Sequence, residues 1–302
     1  MALSQSTPSS ASTLAFLALL GSGVAVGFSP IFARLSDLAP LASGFYRLAF
    51  AVPAIWLAVQ VSGGELQWPS TLASGDRIRL TLAGFAFAAD IAFWHLAITQ
   101  TTILEATLLA STVPIMVTVV SVFFFGEKLK PLFIIGLAIA LAGVATLALQ
   151  RTGAVVTPPN RFIGGIFAFL AASFFAAYLL LVAYVRRQCS TGTIMFYTTL
   201  ISALAMLPFA FTLSPTILSG SLDGWLILLA LAVISHAGGQ GLMTFALAHL
   251  PTSFSSMMGL MQTAVAAILA WILLSEPLTL MMLASGAAIL AGIWNCRKAA
   301  VG

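Results

Sequence analysis

Residues 125–129, Phe-Gly-Glu-Lys-Leu, close one long apolar run, and residues 274–278, Leu-Ser-Glu-Pro-Leu, close another 149 positions later. At the same offset and without a gap, Leu-Ala-Gly-Val at 141–144 superposes on Leu-Ala-Gly-Ile at 290–293. One match of Glu and Leu would mean little. Two motifs that share a single offset, each joined to an apolar run, indicate that a unit of roughly half the chain has been duplicated.

The composition of the chain predicts a membrane protein. Its 302 residues are 61% hydrophobic and only 7% charged, whereas a soluble domain is about one quarter charged because its surface faces water. A helix needs about 20 apolar residues to cross the hydrocarbon core of a bilayer. The apolar runs, separated by Gly, Pro, Ser and Asp, predict ten such helices. These are residues 14–33, 40–61, 78–98, 103–124, 131–150, 162–185, 192–213, 224–247, 252–274 and 278–296.

The division of the chain follows from these spans. Residues 1–13 are rich in Ser and Thr and contain no Lys or Arg. A secretory signal begins with a basic region, so we predict a disordered leader here instead. The first repeat is then 14–150, a linker is 151–161, the second repeat is 162–296, and 297–302 form a cytoplasmic tail.

The basic residues predict the orientation of the chain. With the N-terminus in the cytoplasm, eight of the twelve Lys and Arg residues fall on the cytoplasmic side and four on the other, as the positive-inside rule requires. Each repeat has five spans, so the second must enter the membrane inverted. Lys128 and Lys130 accordingly correspond to Pro277 and Thr279. We therefore predict an all-α polytopic membrane protein with ten transmembrane helices in two inverted five-helix repeats and both termini cytoplasmic.

The chain resembles the EamA-type transporters of the drug/metabolite transporter superfamily. The resemblance lies in the ten spans, the two repeat endings at 125–129 and 274–278, and the segment 90–97, Asp-Ile-Ala-Phe-Trp-His-Leu-Ala. It extends over residues 14–296 and implies a transporter of small solutes. Overall similarity favours bacterial amino-acid exporters, including those for aromatic amino acids, and hence the bacterial inner membrane.

Asp90 in the third span is the first candidate for a substrate site. A carboxylate in hydrocarbon costs roughly 3 kcal/mol, so it should face a cavity or a partner. Phe87, Asp90 and Trp94 share one helical face, with His95 beside them. This face is interpreted as a cavity wall, and Asp90 as a candidate for proton coupling. In the alternative, Asp90 only bonds a Ser, Thr or Trp of a neighbouring helix.

The other candidates for the cavity come from the second, sixth and eighth spans. At the 149 offset, His236 aligns with Phe87 and Met243 with Trp94. The stretch Gly-Gly-Gln-Gly at 238–241 favours a bend or the close approach of another backbone. The further residues assigned to the cavity are Gln240, Tyr178 and Tyr46.

Arg47 follows Tyr46 in the second span and has two interpretations. Its side chain either snorkels to the membrane surface or meets a substrate carboxylate.

Two sets of residues have structural interpretations. Thr102 and Glu105 fit the capping-box pattern at a helix start. Glu127 and Glu276 lie outside the predicted hydrocarbon core and are expected to bond loop amides. Cys189 and Cys296 form no Cys-x-x-Cys motif, so neither a metal site nor a cofactor is expected.

Transport is the function that the sequence favours. A small-molecule substrate is expected to bind near the middle of the membrane, between the repeats, and to be exported by alternating access. A proton-coupled efflux carrier for drugs or other metabolites is the first alternative, and a non-transporting membrane scaffold is more distant. An enzyme is disfavoured because no catalytic motif is present. A nucleic-acid partner is disfavoured because no segment forms a continuous basic face. Faces of small residues at Gly136/Ala140 and Ala288/Gly292 could pack within or between chains, which leaves monomer or homodimer open.

Overall fold

The chain folds into ten helices that are long and apolar enough to cross a membrane, in a computed structural model that describes residues 10–101, 103–150, 160–275 and 278–301. Four of the ten are made of more than one segment. In order, α1 is Ser10–Gly27 and Ser29–Leu35, α2 is Pro40–Val61, α3 is Ser74–Gln100, α4 is Ile103–Ala110 and Val113–Phe125, α5 is Pro131–Leu149, α6 is Arg161–Val185, α7 is Thr191–Leu213, α8 is Leu222–Ala230, Leu231–Gln240 and Gly241–Ala246, α9 is Thr252–Ser256 and Met258–Leu274, and α10 is Leu280–Val301.

The two ends of the bundle differ from the sequence prediction. α1 begins at Ser10, so residues 10–13 of the predicted leader are helical, and residues 1–9 lie outside the described residues. α10 continues to Val301, so residues 297–301 of the predicted tail are helical. Most of the predicted linker, residues 151–159, also lies outside the described residues. Apolar periodicity identifies a span well, but it does not show how far a helix continues into water.

Proline explains two of the helix breaks. Pro30 and Pro114 each stand at the start of the segment that follows a break. Proline is tolerated there because the N–H groups in the first turn of a helix have no carbonyl partner within the helix, so the absence of an N–H breaks no hydrogen bond. Pro53 and Pro208 lie inside continuous helices, where each removes one backbone hydrogen bond.

Helix packing has the symmetry of the duplication. Exchange of the repeats relates each helix to the one five positions away. The packing of α3 on α6 then corresponds to that of α8 on α1, and the packing of α3 on α7 corresponds to that of α8 on α2. α2 packs on α7, and α5 packs on α10, each pair mapping onto itself when the repeats are exchanged. Most of the core therefore lies between the repeats rather than inside either one. The predicted fold class, with two inverted five-helix repeats, is confirmed.

Small residues bring α5 and α10 together. A Cβ atom at Gly143 would lie 2.8 Å from the carbonyl oxygen of Ser285, and one at Gly292 would lie 2.5 Å from that of Gly136. The 149 offset maps Gly143 onto Gly292 and Gly136 onto Ser285, so the two contacts are equivalent. These small-residue faces therefore pack against each other within the chain.

The two repeat endings share a backbone conformation. Gly126 ends α4 in the left-handed region at φ 68°, and its N–H donates to Ser121. Ser275 ends α9 at φ 55°, and its N–H donates to Ala270. The duplicated motif is therefore a helix C-terminus at which one residue adopts the left-handed backbone conformation, and it is repeated at the same offset.

Two loop contacts, at opposite ends of the bundle, are also related by the duplication. At one end, which we call the first loop contact, Asp37 accepts hydrogen bonds from the Ser219 hydroxyl at 2.7 Å and the Gly220 N–H at 3.0 Å. At the other end, the second loop contact, Gln67 accepts from the Ser190 N–H at 3.1 Å. Exchange of the repeats maps the loops of the first contact onto those of the second.

Candidate functional site

Arg47 projects into the bundle and not towards the membrane surface. It lies seven residues after Pro40, about 10 Å along α2 from the helix start. Its Nη1 donates to the Ser29 hydroxyl at 3.2 Å, and its Nε is buried without a hydrogen-bond partner among the described residues. Its guanidinium interacts electrostatically with Asp90 of α3 and Tyr178 of α6. The snorkelling interpretation is therefore wrong.

Asp90 is the acidic partner of Arg47, and we call these two residues the charge pair. The residue is half-buried in α3, and Arg47 is the charged group with which its carboxylate interacts. Within the described chain, Asp90 accepts no hydrogen bond from a Ser, Thr or Trp of a neighbouring helix, and it makes no ion pair within 4.0 Å of Arg47. Two opposite charges thus lie near each other, in the part of the bundle shared by both repeats, without neutralising each other directly.

Beside the charge pair lies a cluster of rings from three helices. The ring of Phe87 in α3 lies 4.8 Å from that of Tyr178 in α6 and 5.2 Å from the imidazole of His236 in α8. Phe175 stacks on Tyr178 at 6.0 Å. We call Phe87, Phe175, Tyr178 and His236 the aromatic cluster. The Phe87 ring is tilted by 41° to that of Tyr178 and by 42° to the imidazole of His236, and Phe87 lies one helical turn from Asp90.

The middle of α8, Leu231–Gln240, is a π-helix. Such wide turns are rare and occur often at functional sites. Gly239 packs against α1, where an added Cβ would lie 2.6 Å from Cγ2 of Val26. The expected close approach of another backbone is therefore confirmed, while the expected bend stays a prediction.

His236 is held within this π-helix by a neighbouring helix. Its Nε2 lies 2.9 Å from the Thr199 hydroxyl of α7, and its Nδ1 has no hydrogen-bond partner. Gln240, one turn along, is buried and its Oε1 is also unpaired. His95 of α3 is placed differently, since its Nδ1 lies 2.6 Å from the carbonyl oxygen of Ile91 in its own helix. His95 still interacts electrostatically with Arg47.

Two of the residues assigned to the cavity lie in other clusters. Trp94 packs with Ala97, Ala106 and Ala168. The ring of Tyr46 lies 5.1 Å from that of Trp225, near the start of α8. Met243, by contrast, is buried in the same apolar core as Phe87 and Tyr178. Spacing along one helix predicted the face that each residue occupies, but the neighbouring helices determine which cluster covers it.

The site contains residues that the sequence did not assign to it. Arg47 was considered but left out, although an arginine inside a span must find a partner in the bundle. The presence of an arginine inside a predicted span was therefore sufficient reason to assign Arg47 to the site. Ser29 and Thr199, which bond Arg47 and His236, carry no such signal, because hydroxyl residues are common in membrane helices.

Two surface pockets lie elsewhere, around Glu127. Glu127 accepts hydrogen bonds from the Thr252 N–H at 2.9 Å and from the Ser253 hydroxyl. The prediction that Glu127 bonds a loop amide is confirmed, while Glu276 lies outside the described residues. Arg187 lines one pocket, and Lys128 and Lys130 line the other. Because Glu127 is already paired, we place the candidate site at the charge pair and not at these pockets.

Glu105, assigned to a capping box, also connects the two repeats, and its capping role stays a prediction. Its carboxylate accepts hydrogen bonds from the Thr101 hydroxyl and, as an ion pair, from Arg161 of α6. Its predicted partner Thr102 lies outside the described residues. Over the described part of the chain, no group of three His, Cys, Asp or Glu side chains could hold a metal ion.

Comparisons with known proteins agree with the duplicated fold. Residues 13–149 and 162–295 each match the profile of the EamA-like transporter family. An uncharacterized transporter of Archaeoglobus fulgidus is 26% identical over 72% of this chain and 75% of its own length. The uncharacterized transporter YetK of Bacillus subtilis is 27% identical over 66% of this chain and 58% of its own length. A crystal structure of a protein that is 17% identical in sequence superposes with a TM-score of 0.80, over 97% of this chain and 98% of its own. At this identity the likeness shows a shared fold alone.

Proposed function

Because the chain belongs to the EamA-like transporter family, we propose that it is a secondary transporter that exports small metabolites, with neutral and aromatic amino acids as its preferred solutes. The solute binds between the two repeats, near Arg47 and Asp90, and crosses the membrane by alternating access. We place the protein in a bacterial inner membrane with both termini in the cytoplasm, on the distribution of its basic residues.

The charge pair is the observation that carries the choice of solute. An α-amino acid presents a carboxylate and an ammonium group a short distance apart. Arg47 offers a guanidinium with an unpaired, buried Nε, and guanidinium groups bind carboxylates strongly. Asp90 offers a carboxylate with no direct partner, and its charge matches an ammonium group. A solute carrying both charges therefore satisfies both residues at once, which a cationic drug does not.

The aromatic cluster supports the same class of solute. Phe87 is 3% exposed and Tyr178 is 2% exposed, so the surroundings of the charge pair on this side are apolar and closely packed, and a solute that binds there displaces these contacts. Apolar side chains gain about 25 cal/mol for each Å² removed from water. A neutral side chain, aromatic or aliphatic, is favoured in these surroundings over a charged one.

Alternating access is favoured by the inverted repeats. In such transporters, one repeat rocks against the other around a site near the middle of the membrane. Here the charge pair joins α2 and α3 of the first repeat, and α6 and α8 of the second repeat complete the cluster beside it. The solute itself can move down its gradient, and the sequence contains no phosphate-binding loop that would point to ATP.

Transport by purified protein in proteoliposomes tests the proposal. The solutes are neutral, aromatic and charged amino acids, sugars and cationic drugs, with protein-free vesicles as the control. We expect saturable counterflow of neutral and aromatic amino acids without an imposed pH gradient. Movement of cationic drugs but not amino acids would contradict the choice of solute. A requirement for a pH gradient, removed by Asp90→Asn, would instead establish proton coupling.

A further inference from the structure

Three polar side chains of the π-helix share one side of α8. In a π-helix the backbone bond joins residues five apart, so Gln240 lies about one turn from Ser235 and beside His236. Ser235 is 0%, His236 is 1% and Gln240 is 4% exposed. We call these three residues the polar set.

Each member of the polar set has an atom without a hydrogen-bond partner in the described chain. The atoms are Oγ of Ser235, Nδ1 of His236 and Oε1 of Gln240. A buried polar atom left unpaired costs roughly 1–3 kcal/mol, and buried polar groups in proteins are nearly always paired. Seven other buried polar atoms are unpaired elsewhere in the described chain, but only here do three lie within about one turn of one helix.

The polar set lies within reach of the charge pair. The Phe87 ring is 5.2 Å from the His236 ring, and Phe87 is one helical turn from Asp90 in α3. The polar set therefore adjoins the aromatic cluster, beside which we propose that the side chain of the solute binds.

The polar set has no charge of its own. At the 149 offset, the residue of α8 that corresponds to Asp90 is Gly239, so the second repeat brings no carboxylate to the matching position. His236 bonds Thr199 and interacts electrostatically with Arg47, which disfavours a second positive charge beside it. The set is therefore matched to an uncharged group that donates and accepts hydrogen bonds.

We propose that the polar set binds an uncharged hydrogen-bonding group on the solute's side chain, such as a hydroxyl or an amide. The inference rests on the proposed function and adds a ranking of solutes to it. Among amino acids of equal shape, the transporter prefers the one with the hydroxyl, because its loss leaves buried polar atoms of the site unpaired.

The test compares solutes that differ by one polar atom. Uptake of tyrosine and of meta-tyrosine is each measured against phenylalanine in proteoliposomes, because the hydroxyl must lie at the far end of the side chain to meet the polar set. We expect the wild-type protein to favour the hydroxyl member of each pair by about tenfold in kcat/KM. Gln240→Leu and Ser235→Ala should each reduce this preference at least threefold, mainly by slowing the hydroxyl member. Val233→Ala, on the exposed side of the same π-helix, should keep it.

Two negative results have different meanings. If wild-type protein moves no amino acid at all, the proposed function fails. If it moves both members of each pair equally, or if Gln240→Leu and Ser235→Ala slow both members alike, this inference is wrong while the proposed function stands. Ser235→Ala removes a single atom, so it keeps the comparison informative should Gln240→Leu fail to fold.

Discussion

Two residues with left-handed backbone explain why the repeat endings look alike. Gly126 and Ser275 occupy the same conformation at the same offset, and Ser275 is the only non-glycine residue with positive φ over the described ranges. The sequence allowed the duplication to be recognised but not its physical meaning. Glycine serves many purposes, and serine gives no sign that it will adopt a conformation that side chains disfavour.

The backbone strain at Ser275 can be measured. Ser275→Gly should raise the free energy of unfolding by about 1 kcal/mol, because glycine adopts positive φ without a steric cost. Gly126→Ala should lower it by a similar amount. A Cβ atom at Gly126 would meet nothing within 4 Å, so the effect would come from the backbone alone. Thermal melting in detergent checks both, and a lower melting temperature for Ser275→Gly would contradict the account.

At the scale of the element, α8 departs most from what its sequence predicted. The stretch at 238–241 indicated a weak point in the helix, since each Gly costs about 1 kcal/mol relative to Ala. It did not indicate a π-helix, because that choice depends on α1, which packs against Gly239 through Val26. Likewise, the stripe of Phe87, Asp90 and Trp94 was predicted from spacing, but the helices around it separate Trp94 from the other two.

Neighbouring glycines of α8 provide a matched test. Gly239→Ala should destabilise the protein by roughly 1–3 kcal/mol, because the new methyl would lie 2.6 Å from Cγ2 and 3.2 Å from the backbone nitrogen of Val26. Gly241→Ala meets nothing within 4 Å and should be neutral or stabilising by up to about 1 kcal/mol. Equal effects in thermal melts of the two variants would show that contact with α1 does not determine the distortion.

On the scale of the whole molecule, the first and second loop contacts lie where an alternating-access carrier must open. At one end, Asp37 accepts hydrogen bonds from Ser219 and Gly220, and at the other end Gln67 accepts one from Ser190. If the repeats rock, each contact must break once in every cycle. The duplication was predictable from the sequence, but these contacts join loops whose composition gives no sign of pairing.

Cross-linking tests whether these loop contacts open. The cysteine pairs are 37 with 220 and 67 with 190, in a background with Cys189→Ala and Cys296→Ala. A short thiol-specific cross-linker on either pair should stop transport, and variants carrying only one of the two cysteines should be unaffected. A Cβ at Gly220 meets nothing within 4 Å, so the substitution itself is mild. Undiminished transport with one pair fully cross-linked would mean that this end of the bundle does not open.

The charge pair itself is tested most directly by removing one charge at a time from both protein and solute. In proteoliposomes, the uptake of a neutral amino acid is compared with that of its amide, which lacks the carboxylate, and its N-acetyl derivative, which lacks the ammonium group. Wild-type protein should favour the amino acid over both by about 10- to 100-fold, the range for hydrogen bonds to charged groups. Arg47→Gln should lose the preference over the amide, and Asp90→Asn the preference over the N-acetyl derivative, while Lys130→Gln keeps both. If Arg47→Gln and Asp90→Asn discriminate among the three solutes as the wild type does, the site does not lie at these residues.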